Sequence, residues 1–249
     1  MNKIKKVIKC VFNPKFFKSY INFVSPLFEL EPLLKKVDNI NTIIDIGSNK
    51  GQFSILARSF FPSSKIYSFD PQKKYLDIQK KILKKKDINY FNIGIGNKKR
   101  LKKFFITSRE DSSSFLKPKR INNKNYEIKN IKKIKIDKLD NLIDIKKIKG
   151  PVLIKIDIQG YELEALKGAK KILKVADYLI AEISYQKIYD NQVSNIDLLS
   201  YLKKINFKKL LTANETKFND KVFQSDILFV NKDIWSLRYL FVAEVGLFN

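Results

Sequence analysis

The chain has 249 residues, enough for one α/β domain with a sizeable core and short for two, and its 44% hydrophobic and 12% aromatic content places it among globular proteins. Lys and Arg total 50 against 25 Asp and Glu, giving a formal charge of +25, but Arg stands only at Arg58, Arg100, Arg109, Arg120 and Arg238; a surplus made of Lys, in a chain rich in Ile, Asn and Phe, fits an A/T-rich coding genome better than selection for bidentate phosphate recognition. There is no histidine and one cysteine, Cys10, which excludes a Ser-His-Asp triad, a histidine base, His-dependent metal sites and intrachain disulfides, leaves proton transfer to a carboxylate, Lys or Tyr, and points to a reducing, cytoplasmic setting.

Residues 1–40 form a basic, aromatic segment ahead of the regular part of the chain. Met1 to Lys9 is charged like the start of a signal peptide, but the apolar stretch after it is broken by Asn13, Pro14, Lys15 and Lys18, so none is expected. No uncharged apolar run reaches the ~18 residues of a membrane-spanning helix. Phe12, Phe16, Phe17, Tyr20 and Phe23 are expected to pack on the domain as a cover; the alternative is that residues 1–24 lie on a membrane surface, aromatics inward and lysines beside them.

From Asn41, short apolar runs alternate with segments of helical period, the pattern of a parallel sheet covered on both faces. Thr42–Ile46 reads as a buried strand and Gln52–Phe60 as a helix stopped at Pro62. Lys65–Phe69 is a second strand, Pro71–Lys86 a helix with Pro in its first turn, and Asn89–Ile93 a third strand. Residues 98–150 are less regular, with a Ser-rich stretch at Asp111 to Ser114 and strand character at Ile131–Ile136; they read as an insertion over the ligand crevice or as a surface excursion. Val152–Ile156, a helix over Glu162–Leu173, Tyr178–Ile183, a helix over Ile196–Ile205, and two strands, Phe207–Thr212 and Ile227–Val230, complete a domain of residues 41–231. Residues 232–249 are a C-terminal extension.

Three stretches carry chemistry. In Ile43-Ile44-Asp45-Ile46-Gly47-Ser48-Asn49-Lys50-Gly51 a buried strand runs through a glycine-bearing turn into a helix, the place where an open α/β sheet takes a nucleotide-like ligand. Gly47 permits a tight turn, Asn49 tolerates left-handed dihedrals, and Asp45 can meet a cationic amine; a purely structural turn would use the same glycines. Asp70 ends the second strand 25 positions after Asp45, near the spacing at which a carboxylate accepts from both ribose hydroxyls, although an Asp before Pro71 can also cap a helix. In Leu153-Ile154-Lys155-Ile156-Asp157-Ile158-Gln159-Gly160-Tyr161-Glu162 a lysine lies inside an apolar strand, which is costly unless paired, functionally or by a structural bridge to Asp157 or Glu182. Glu182 ends the next strand, so Asp157 and Glu182 are expected over one crevice.

These motifs, with Phe69-Asp70-Pro71, Asn92-Ile93-Gly94-Ile95-Gly96-Asn97, Leu166-Lys167-Gly168-Ala169 and Glu182-Ile183-Ser184 in that order, resemble the FkbM family of methyltransferases over roughly Asn41 to Val230. The resemblance implies a class I, Rossmann-like fold with a mostly parallel seven-stranded sheet and helices on both faces. It implies S-adenosylmethionine as cofactor, with Asp45, Gly47, Ser48, Asn49 and Gly51 around the methionine portion, Asp70 on the ribose, and Asn92 and Ile93 near the adenine. It also implies O-methylation of a sugar, glycan or other small metabolite. Ser48 replaces the family's usual Ala. Gln159 stands where the family often has Glu, so it is given no role as base or metal ligand, and no metal is expected.

With histidine absent, Asp157 is the expected base, and Lys155 and Glu182 are expected to orient it or the acceptor. An RNA or DNA methyltransferase is the rival reading, motivated by the charge, but the Asn-Pro-Pro-aromatic signature of many base-modifying enzymes is replaced by Asp157-Ile158-Gln159-Gly160. A scaffold with a degenerate fold is the non-catalytic alternative. Nothing in the sequence specifies the acceptor or an oligomeric state.

Overall fold

The computed structural model describes residues 3–83, 88–109, 111–119 and 127–234. In chain order its elements are α1 (Lys3–Val11), α2 (Pro14–Ile21), α3 (Glu31–Leu34), β1 (Thr42–Ile46), α4 (Gln52–Phe60), β2 (Lys65–Phe69), α5 (Lys73–Ile82), β3 (Ile88–Phe91), β4 (Gly94–Ile95), β5 (Arg100–Thr107), β6 (Ile128–Asp137), α6 (Leu139–Leu142), β7 (Val152–Ile156), α7 (Glu162–Lys167), α8 (Lys170–Leu173), β8 (Tyr178–Ser184), α9 (Asn195–Lys204), β9 (Phe207–Phe218) and β10 (Lys221–Asn231).

Seven strands form one sheet in the order β3-β2-β1-β7-β8-β10-β9, parallel except where β10 runs against both neighbours. This is the class I methyltransferase arrangement expected from the sequence. Every residue of β1 and β7 is buried, because apolar layers cover both faces and a parallel strand must then be apolar on both. Ile43, Leu153, Ile180 and Leu228 pack under α4, α5 and the segment from Val24 to Ile40; Ile44, Ile154, Ala181 and Phe229 pack under α7, α8 and α9. The chain turns from β1 to β2 on one side and reaches β7 on the other, so a crevice opens where the carboxyl ends of β1 and β7 part.

Besides shifts of one to three residues at the ends of β3, β6, β8 and α9, four segments differ from the sequence reading. The segment over Glu162–Leu173 is two helices, because Gly168 lies so close to Gly96 that an added Cβ would stand 2.0 Å from the Gly96 carbonyl oxygen, and the chain breaks its helix there. The last two strands are a long hairpin of 12 and 11 residues, joined by Asn219 and Asp220, both at positive φ as a tight hairpin turn requires; their polar outer halves hid them in the sequence. Residues 98–150 supply β5 and β6 of a second, three-stranded sheet in the order β4-β6-β5, whose small core is Phe104, Phe115, Ile136 and, from beyond that segment, Tyr161. The helix expected over Pro71–Lys86 spans Lys73–Ile82, its expected last residues lying outside the described ones, as does most of the C-terminal extension.

Candidate functional site

A cavity of about 480 Å³ lies at the carboxyl ends of β1, β2, β7 and β8, within the range of small-ligand sites. Of the residues expected around a cofactor, Gly47, Ser48, Asn49, Asp70 and Ile93 line it, and Lys155, Asp157 and Glu182, expected for chemistry, line it too. Asp45, Gly51 and Asn92 do not. Asp45 is fully buried beneath the turn and accepts from the Ser54 hydroxyl of α4 at 2.6 Å; its other oxygen makes no hydrogen bond among the described residues. Asn92 acts from behind, its amide donating to the Asp70 carbonyl at 3.1 Å. Gly51 is the left-handed residue that starts α4, at φ +86°.

Two parallel strands explain how the first two motifs meet. Asp45 registers with Ser68 and Ile46 with Phe69, and the amides of Gly47 and Ser48 both donate to the Phe69 carbonyl at 3.0 Å. Asn49, at φ +47°, then donates its amide to Asp70 Oδ2 at 2.9 Å, while Gln72 donates to Oδ1 at 2.7 Å. Asp70 is therefore both the residue facing the cavity and the cap of the following turn. Burial pushes its pKa up to about 7, against the pull of those two amides. Gly47 is needed for a reason the sequence did not give: a Cβ there would stand 1.9 Å from the Asp157 carbonyl oxygen, so the turn after β1 packs directly on the chain leaving β7. The Ser48 hydroxyl accepts from Ser68 and from Gln79 of α5, each at 2.8 Å, a buried network that gives this serine a structural use where an alanine would have none.

Strand alternation puts Asp45, Lys155, Glu182 and Asp226 on one face of the sheet, the face shared with Ile43, Leu153, Ile180 and Leu228. Lys155 is 3% exposed and its Nζ lies 2.9 Å from Asp157 Oδ2, so the buried lysine is paired. Burial works against its charge, but Asp157, Asp45 and Asp226 outweigh that and raise its pKa, keeping it an ammonium. Gln159, at φ +56°, spreads its amide between Asp157 Oδ1 at 2.8 Å and Glu182 Oε2 at 3.0 Å, and its carbonyl accepts from the Tyr189 hydroxyl at 2.9 Å. Burial first, then Asp157, Asp226 and Glu162, push the Glu182 carboxyl well above the usual carboxylate range. Glu162, expected in the first helical turn, also folds back: it is buried, accepts from the amides of Ile158 and Gly160, and is pushed by burial up to about 7.

Several lining residues were not singled out in the sequence. Asp226, pushed by burial up to about 6, accepts from Asn214 at 2.8 Å, and Gln224 donates to Glu182 Oε2 at 3.0 Å; all three come from the hairpin β9–β10. An aspartate entering the apolar run Ile227 to Val230 was the available signal, of the same kind as Lys155 in β7. Phe104 of β5 and Ser112, Ser113 and Phe115 of the connection after it line the cavity, and the Ser114 hydroxyl donates to the Gln159 main-chain carbonyl at 2.7 Å, so this part of the insertion walls the crevice. Among the described residues no group of three or more Cys, Asp or Glu is arranged to hold a metal ion.

The sequence model of the family described as the methyltransferase FkbM domain matches residues 45–209. This chain belongs to that family. The matched span runs from Asp45, within β1, into β9, so it takes in the motifs from Asp45 to Glu182-Ile183-Ser184 on which the resemblance rested. No curated protein matches the sequence. Among solved structures, a putative S-adenosylmethionine-dependent methyltransferase from Listeria monocytogenes is similar at 12% identity and a TM-score of 0.48, over 82% of this chain and 98% of that one. Magnesium protoporphyrin IX methyltransferase from Synechocystis PCC 6803, with SAM bound, is similar at 11% identity and a TM-score of 0.44, over 88% of this chain and 85% of that one. TrmK of M. capricolum, in complex with S-adenosylhomocysteine, is similar at 14% identity and a TM-score of 0.45, over 82% and 68%.

Proposed function

We propose that this FkbM-family methyltransferase takes S-adenosylmethionine as its cofactor and methylates a hydroxyl of a sugar, glycan or other small metabolite, with Asp157 accepting the hydroxyl proton. The residues present suit that cofactor. Asp70 keeps lone pairs for ribose hydroxyls beyond the two amides it already serves, and Pro71, Tyr75 and Ile93 offer an apolar wall for a base. The bound cofactor supplies an activated methyl and its leaving group. The chain's share is to hold the acceptor oxygen in line, remove its proton and exclude water.

Asp157 is the carboxylate best placed for the proton. Its two oxygens are fixed from opposite sides, Oδ2 by the Lys155 ammonium and Oδ1 by the Gln159 amide, so it needs no rearrangement before it accepts. Glu182 has Oε2 engaged by two glutamine amides and lines the cavity beside Asp157, where its carboxyl can hydrogen-bond to the acceptor. Asp226, Asn214 and Gln224 add the acceptors and donors that suit a polyhydroxyl ligand, while Arg109 and Lys217 stand exposed at the outer edge. The single observation that carries this reading is the doubly held Asp157 at the wall the cavity shares with Gly47 and Asp70. Asp157→Asn keeps the shape and is expected to lower turnover about 10²- to 10⁴-fold with cofactor affinity within a few-fold of wild type; measured turnover near wild type would remove Asp157 from the role.

A further inference from the structure

We infer that the outward face of α1 and α2 is a docking surface for an anionic lipid bilayer. The expectation that the N-terminal aromatics serve as a cover holds for Phe16 alone, which is 3% exposed and meets the Phe28 ring edge-on at 5.1 Å. Phe12 and Phe23 are 81% and 93% exposed. Along α1, Ile4, Val7, Ile8 and Val11 recur at the spacing of one helix face, and all four are exposed. The opposite face is the one attached to the domain: Lys6 pairs with Glu29 at 2.7 Å, Lys9 pairs with Glu31 and lies 4.7 Å over the Phe28 ring, and Cys10 is buried.

The helix is thus fixed with its charged side inward and its apolar side outward, the reverse of an ordinary surface helix. In α2, Lys15 reaches the Ser59 carbonyl at 3.2 Å and Phe16 and Ser19 are buried, which leaves Phe17, Tyr20 and Ile21 on the outside. Apolar side chains exposed in such number along two adjoining helices mark a binding surface, since covering them removes apolar area from water. Its charge selects the occupant. From Lys3 to Phe28 the sequence holds no Asp or Glu, and while Lys6 and Lys9 turn to the domain and Lys15 reaches Ser59, Lys5 and Lys18 are exposed beside the apolar stripe. Anionic headgroups complement those lysines while the acyl boundary takes the aliphatic and aromatic side chains. A second copy of a chain with charge +25 would set lysines against lysines, and an RNA would leave Ile4, Val7, Ile8 and Val11 without a partner.

The test is flotation of the purified full chain with phosphatidylcholine vesicles, with and without about 30% phosphatidylglycerol. The chain is expected to float with the anionic vesicles and to partition about tenfold more weakly onto phosphatidylcholine alone. The triple substitution Ile4→Asp, Ile8→Asp and Phe12→Asp is expected to lower binding at least about tenfold with the melting temperature kept, and the pair Phe12→Ser and Phe23→Ser, both outside the helices, to lower it in the same direction. Three results would overturn the inference: no flotation of the wild type, flotation unaltered by the apolar substitutions, or self-association or RNA binding in the absence of vesicles that those substitutions abolish. None of these bears on methyl transfer, because no substituted residue lines the cavity.

Discussion

Asp70 and Glu162 are carboxylic acids that folding removes from water, and each is pushed by burial up to about 7. The unfolded chain holds such groups near a pKa of about 4, so between about pH 4 and 7 the folded protein binds more protons than the unfolded one. The stability these residues contribute is then complete below that window and is lost as pH rises through it. Without added cofactor, the melting temperature is expected to be higher at about pH 5.5 than at about pH 8. Glu162→Gln keeps the oxygen that accepts from Ile158 and Gly160 but has no proton to lose, and is expected to flatten that fall. A melting temperature that rises over the same interval, or a slope unchanged in the variant, would contradict the account.

The turn between β1 and α4 shows what one element demands of its sequence. Gly47 sits at φ +83° and its missing Cβ leaves room for the carbonyl of Asp157, so a side chain there would strain the backbone and push away the carboxylate at the same time. Gly47→Ala is expected to cost more than about 2 kcal/mol, read as a lower urea midpoint with unchanged slope; a midpoint within error of wild type would show that the turn and the β7 exit can separate. This element was legible in the sequence because strand, glycine and helix follow one another within ten residues. The hairpin β9–β10 was not. Its outer half alternates residues such as Asn214, Thr216 and Gln224 that serve a cavity rather than a core, and a strand that buries polar groups against a ligand loses the alternating apolar signal. The same cause hid Asp226, whereas Glu162 does stand in the first turn of a helix as expected and reaches back locally to the amides of Ile158 and Gly160.

On the scale of the whole molecule, the sheet order and both covering layers follow from the βα rhythm after Asn41, and the family match over residues 45–209 spans the motifs that set it. The parts added to this frame are the inserted sheet, which walls the crevice, and the N-terminal helices, which turn an apolar face outward; neither has a motif of its own, and each became readable only through what it packs against. Net charge informs less than its distribution does, since the cavity gathers carboxyls around one buried lysine within a chain of formal charge +25. The claim on which the rest depends is that this cavity takes a sulfonium nucleoside. Isothermal titration of the purified chain with S-adenosylmethionine tests it most directly. One saturable site is predicted for the wild type, weakened at least about tenfold by Asp70→Ala, which removes the carboxylate proposed to accept from the ribose. Absence of any saturable heat, or equal affinity in the wild type and Asp70→Ala, would contradict it.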